Sequence, residues 1–132
     1  MSAEPLLRIT VLAHRNRNLT EEQFHAHWTT RHAPLVASWL QRHGVVKYTQ
    51  YHTPTAHKQL TSQPTLSYDG TADFYVRKYE DFQKAYEDPY YQDVVKPDEE
   101  FLFEVASMRV LVGTETCVIE GGEIVGGRGE EG

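Results

Sequence analysis

Seven histidines, all between His14 and His57, and eight tyrosines, all between Tyr48 and Tyr91, crowd the middle of this 132-residue chain. Imidazoles exchange protons near neutrality, and phenols hold developing oxyanions through hydrogen bonds. The chemistry these types share is acid–base work. His32 stands out because it ends the series Phe24, Trp28, His32. That i, i+4, i+8 spacing puts the three on one helical face. A face carrying two large aromatics packs on a core, so His32 is expected at the edge of an apolar cavity or inside it. Its plainer role is a helix-end imidazole bonding a backbone carbonyl before Pro34.

Tyr48 and His52 lie two strand-steps apart on one face of a β-branched, aromatic segment. If that face meets the helices, both share the pocket of His32 and can hold a phenolate or enolate oxygen. In the opposite register Tyr51 takes that place and His52 turns away. Asp73 carries the same ambiguity on the next strand: facing a histidine it orients the imidazole and raises its pKa, and facing away it is an ordinary strand polar residue. Phe24, Trp28, Trp39 and Phe74 are candidate walls for a flat ring, with Tyr51 and Tyr75 as further contacts. Tyr90 and Tyr91 either line a pocket mouth or pack as an aromatic turn. His25 and His27 sit roughly 200° apart around a helix, so they cannot meet one ion, and no metal site is expected. Cys117 is the single cysteine, which excludes an intrachain disulfide and a cysteine cluster.

Elements must position these groups. Residues 6–14 read as a strand. Thr20 and Gln23 form a capping box, Leu19 and Phe24 a hydrophobic staple, and Pro34 interrupts or restarts the helix they open. Residues 45–53 read as a second strand, with Val46, Tyr48, Gln50 and His52 on one side. A polar loop over 54–64 follows, then a third strand over 72–77. Short helices are expected at 79–87 and 90–95, and a fourth strand over 103–113. The order β-α-β-β-α-β is ferredoxin-like: an α+β fold with an antiparallel four-stranded sheet and helices on one face. Its second face, if apolar, needs a cover, and self-association is the economical one.

Length and charge bound the rest. The chain is one domain long, with a body over 1–119 and a tail over 120–132. The tail holds six of the nine glycines and is expected to be mobile. Its G-x-G-x-x-G spacing at Gly127, Gly129 and Gly132 lacks a following helix and is no dinucleotide fingerprint. Nineteen acidic against thirteen basic residues give a net charge of −6, which disfavours nucleic acid as a partner. No membrane span and no secretory leader are read, so a cytoplasmic location is expected.

The run EEQFHAHWTTRHAPLV, with Glu22, Phe24, Trp28, His32, Pro34 and Leu35, resembles the helix signature of EthD-domain proteins. GVVKYTQYHT and YDGTADFYV fit the same family over about residues 5–113. They are most similar to its fungal aromatic-polyketide branch, which includes endocrocin-anthrone-type decarboxylases. The resemblance implies a homodimeric α/β barrel, a small aromatic polyketide substrate and a functional role at the His32 position. Nothing transfers to the tail.

No motif for a nucleotide, flavin, haem or metal is found, so a cofactor-free reaction is expected. The leading expectation is a decarboxylase (a carbon–carbon lyase) of an anthrone- or anthraquinone-type carboxylic acid in fungal secondary metabolism. In it His32 protonates the ring carbon as general acid, while Tyr48 and His52 hold the neighbouring phenolic oxygen. Cyclisation, dehydration or cofactor-free anthrone oxidation of the same substrate class are the alternatives. A non-catalytic ligand-binding or assembly module is the remaining one.

Overall fold

The computed structural model describes residues 5–126. Strand β1 (Leu7–Ala13) lies between β3 (Gly70–Val76) and β4 (Arg109–Gly113), and β2 (Val45–His52) pairs on the far side of β3. All three pairings are antiparallel, giving the order β2-β3-β1-β4. Helix α1 (Glu21–His27) runs through a wide turn at Trp28–His32 into α2 (Ala33–Arg42). A short α3 (Thr55–Lys58) precedes β3, and α4 (Tyr79–Glu87) follows it. A second wide turn at Tyr91–Val95 leads into α5 (Lys96–Leu102). The main helices cover one face of the sheet, so the fold is the expected ferredoxin-like α+β one.

The register explains the core. Ile9 sits opposite Phe74 and Val112, and Thr10 opposite Asp73 and Leu111. Alternation therefore sends Ile9, Phe74 and Val76 toward the helices, where Val36, Trp39, Leu40 and Phe82 bury against them. Phe24, Trp28, Leu102, Phe103 and Ala13 form a second cluster at the other end. The Thr20–Gln23 capping box is present in both directions, and Leu19 packs on the Phe24 cluster.

Several expectations need correction. Pro34 does not interrupt the helix. The Ala33 N–H reaches back to the Trp28 carbonyl, a five-residue turn, and this wider turn admits a residue with no N–H at the next position. A bulge between Val45 and Lys47 shifts the start of β2, so Val45 is buried while Val46 is 47% exposed. The 54–64 loop contains α3, whose first backbone N–H donates to the Glu21 carboxylate at 2.7 Å. The helix at 90–95 is the wide turn that opens α5, which extends to Leu102, and the fourth strand begins at Arg109 rather than 103. A hairpin, β5 (Ile119–Glu120) and β6 (Glu123–Ile124), turns through Gly121 and Gly122 at positive φ, where glycine is at home. The Gly127–Gly129–Gly132 spacing lies outside the described residues. The sheet's open face is not the apolar surface the argument for self-association assumed. Arg8, Thr10, Thr49, Thr71 and Asp73 occupy its middle. Among the described residues no helix is long and apolar enough to cross a membrane.

Candidate functional site

The two wide turns bring the chemistry together. Each is five residues long and each is followed, one residue on, by a proline: Trp28–His32 before Pro34, and Tyr91–Val95 before Pro97. The first buries both Trp28 and His32. The second leads into α5, whose first turn presents Asp98 to His32. The His32 Nδ1–H donates to Asp98 Oδ2 at 2.7 Å, and the His27 Nε2–H donates to Asp98 Oδ1 at 2.8 Å. With Nδ1 committed to a carboxylate, the His32 ring keeps Nε2 for other work.

His32 is 5% exposed and lines a cavity of about 250 Å³ between the helices and the sheet. Trp28, Trp39, Phe74 and Tyr48 supply aromatic wall, and Glu99 and Tyr91 add polar groups. Trp39 is fixed by its indole N–H donating to the Ala85 carbonyl at 2.8 Å. Tyr48 stacks on Phe74 with centroids 5.1 Å apart, and its oxygen accepts from the Gln50 amide at 3.1 Å. The Trp28 indole N–H is buried near the Tyr48 hydroxyl, yet no group of the described residues meets it at hydrogen-bonding geometry.

Burial sets the charge states. It pushes His32 below the ordinary histidine range, against the opposing pull of Asp98. At neutral pH the ring is therefore neutral, with a lone pair on Nε2, a state that suits a proton acceptor rather than the general acid expected from the sequence. Burial also raises the Glu99 carboxyl, opposed by the Tyr91 hydroxyl that donates to it at 2.8 Å. The Tyr48 phenol is pushed up by the same cause and stays a neutral donor.

The expected residues divide. His32, Tyr48, Trp28, Trp39 and Phe74 share the cavity. Phe24 is fully buried but packs behind Trp28 and Phe103 rather than on the cavity. His52 faces the helices, in the register expected for Tyr48, yet it is not in this cavity. Four residues of strand span about 13 Å, and the Trp28 ring lies 4.6 Å from the imidazole. There His52 Nδ1 lies 2.7 Å from His25 Nδ1, one ring donating and the other accepting. His52 instead borders a second cavity of about 500 Å³, with Tyr51, His57 and Tyr68.

Asp73, Tyr51 and Tyr75 are on the other sheet face, because odd positions of β3, and of β2 past its bulge, point away from the helices. Asp73 is 3% exposed and orients no histidine: it accepts from Arg8 Nε at 2.8 Å and from the Thr10 hydroxyl. Tyr51 is 63% exposed, and the Tyr75 hydroxyl donates to Glu115 at 3.3 Å. Tyr91 lines the cavity, whereas Tyr90 packs with its hydroxyl on the Leu35 carbonyl at 2.6 Å. Asp98, Glu99 and Tyr86 escaped the sequence reading. Acids in the first turn of a helix are so common as dipole partners that PDEE after Lys96 carried no special signal.

The chain resembles known proteins in sequence and in fold. The conidial pigment biosynthesis dehydratase EthD of Metarhizium robertsii is 29% identical over 95% of this chain and 94% of its own. A decarboxylase of Emericella nidulans is 25% identical over 96% and 87%. An EthD family protein of Bacillus halodurans, solved by crystallography, superposes with a TM-score of 0.60 at 14% identity, covering 84% of this chain and 99% of that one. The last match shows the fold alone. The sequence pattern of the EthD domain spans residues 16–104, from the approach to α1 to the end of α5, and so takes in His32, Tyr48, Asp98 and Glu99; the chain belongs to the EthD domain family.

Proposed function

We propose that the protein is a cofactor-free lyase that removes CO₂ from an aromatic polyketide carboxylic acid of anthrone or anthraquinone type. The observation that carries this reading is buried His32, held by Asp98, on the wall of an aromatic-lined cavity. Flat rings stack against Trp28, Trp39 and Phe74, where little water competes for polar contacts. The neutral His32 Nε2 takes the proton of the hydroxyl ortho to the carboxylate, and Asp98 supports the imidazolium that forms. The neutral Tyr48 phenol donates to the resulting oxygen. Electron density then reaches the carboxyl-bearing ring carbon, which takes up a proton. The bond to the carboxylate breaks, its electron pair restores the ring, and CO₂ leaves.

Dehydration is the second reading, favoured by the Metarhizium relative's name. The same base would take a proton beside a carbonyl while a hydroxyl leaves as water. The test is incubation with an ortho-hydroxy anthrone carboxylic acid under exclusion of dioxygen. Loss of CO₂ is expected from the native protein, with His32→Ala lowering kcat by about 10²–10⁴-fold at unchanged thermal stability. Loss of water instead selects the second reading, and undiminished CO₂ release from the variant overturns the role of His32.

A further inference from the structure

Glu99 follows Asp98 directly on α5, and successive helical residues point about 100° apart. Asp98 turns to His27 and His32, and Glu99 turns to the cavity that His32 lines. Glu100, next in the chain, is exposed. Glu99 therefore departs from the usual solvated first-turn acid. No lysine or arginine of the described residues pairs with it. Its one hydrogen bond there is the Tyr91 hydroxyl donating to Oε1, which leaves Oε2 uncommitted.

A carboxyl in an apolar pocket without a cation tends to keep its proton. The groups acting on Glu99 agree on balance. Burial is foremost, and Glu100 and Asp98 add to it, while Tyr91 and Lys96 oppose. From the facing elements come the phenols of Tyr48 and Tyr86, both held neutral by burial, and the His32 ring, which burial pushes toward its neutral form. The cavity thus holds a neutral base on one wall and a carboxyl that retains its proton on another.

We propose that Glu99 is the proton donor of this site, delivering its Oε2 proton to the ring carbon that carries the substrate carboxylate. The inference rests on the lyase reading above. The Glu99 O–H bond breaks as the new C–H bond forms, and the C–CO₂⁻ bond then breaks with its pair returning to the ring. His32 returns the proton it took to the phenolate oxygen, and Glu99 regains its own from water. The sum is substrate carboxylate plus one proton giving the arene and CO₂. In a dehydration the same proton goes to the departing hydroxyl.

Glu99→Gln keeps the shape and still accepts from Tyr91. It is expected to lower kcat about 10²–10⁴-fold at unchanged KM and to erase the alkaline fall of activity that ionisation of the donor causes. Tyr91→Phe removes a bond that favours the ionised carboxylate, so it is expected to move that fall to higher pH, which a structural role for Tyr91 does not predict. The infrared spectrum of the free protein at neutral pH is expected to show a protonated-carboxyl stretch that Glu99→Gln removes. Full activity in Glu99→Gln, with the alkaline limb intact, overturns the donor and leaves the lyase reading standing. Absence of the infrared band overturns the donor whatever the turnover. The band present in a protein that releases neither CO₂ nor water supports Glu99 as the site's acid and overturns the lyase reading.

Discussion

Asp98 accepts from two imidazoles, one on the cavity wall and one toward solvent. The bond to His32 fixes the tautomer with its lone pair on Nε2, and the negative charge stabilises the imidazolium. On the proposed mechanism Asp98 is therefore a positioning residue for the base. Asp98→Asn still accepts one imidazole N–H, so the fold should survive. It loses the charge that opposes burial, and His32 should then hold a proton even less readily. Activity that needs neutral His32 disappears as pH falls through the His32 pKa, so that acidic limb should move to lower pH. The lost support should lower kcat by roughly 10²-fold. A pH–rate profile of the variant checks both, and an unmoved acidic limb rejects the positioning role.

Elements show why some of this was legible in the chain and some not. The capping box at Thr20 and the order of elements along the chain followed from local rules of spacing, and alternation put Tyr48, Gln50 and His52 on one side of their strand without deciding which side meets the helices. The site's other half followed from no such rule. Pro97 reads as the end of a helix, yet it sits in the first turn of α5 because the preceding wide turn absorbs the missing N–H. Asp98 and Glu99 then look like ordinary helix-start acids, since only the approach of α5 to His27 and the Trp28–His32 turn distinguishes one facing a buried imidazole from one facing water. Asp73 misled for the opposite reason: its burial belongs to the Arg8–Thr10 pairing on the far face, which no local pattern encodes. Close approach at Gly70 is another element-level constraint. A Cβ there would lie 2.6 Å from the Trp28 ring and 2.7 Å from the Tyr51 carbonyl. Gly70→Ala should therefore push α1 off β3 and destabilise the fold by about 1–3 kcal/mol. Urea unfolding measures it, and a change under about 0.5 kcal/mol would show that the wall of the cavity yields freely.

At the scale of the molecule the question is what meets the exposed apolar surface. It does not spread over the polar middle of the open sheet face. It gathers along β4, where Val110, Leu111 and Val112 are all exposed, and continues into Val118, Ile119 and Val125 around the hairpin. Among the described residues β4 pairs only with β1, so there its outer edge also carries unpaired backbone groups. A long apolar edge of this kind invites pairing, and isolated soluble domains rarely leave it open. A second copy is the partner that a self-complementary edge fits best. We therefore expect a homodimer at micromolar concentration, formed through β4 and the hairpin. At about 25 cal/mol per Å² of apolar area, an interface of roughly 1,000 Å² or more supplies ample driving force. The Leu111 side chain lies on the open sheet face and is 65% exposed, away from the His32 cavity. Leu111→Asp places a charge in the interface without touching the core. Sedimentation should show the native chain as a dimer and the variant as a monomer with an unchanged circular dichroism spectrum. A native chain that sediments as a monomer at high micromolar concentration removes self-pairing along β4 as the explanation of this surface.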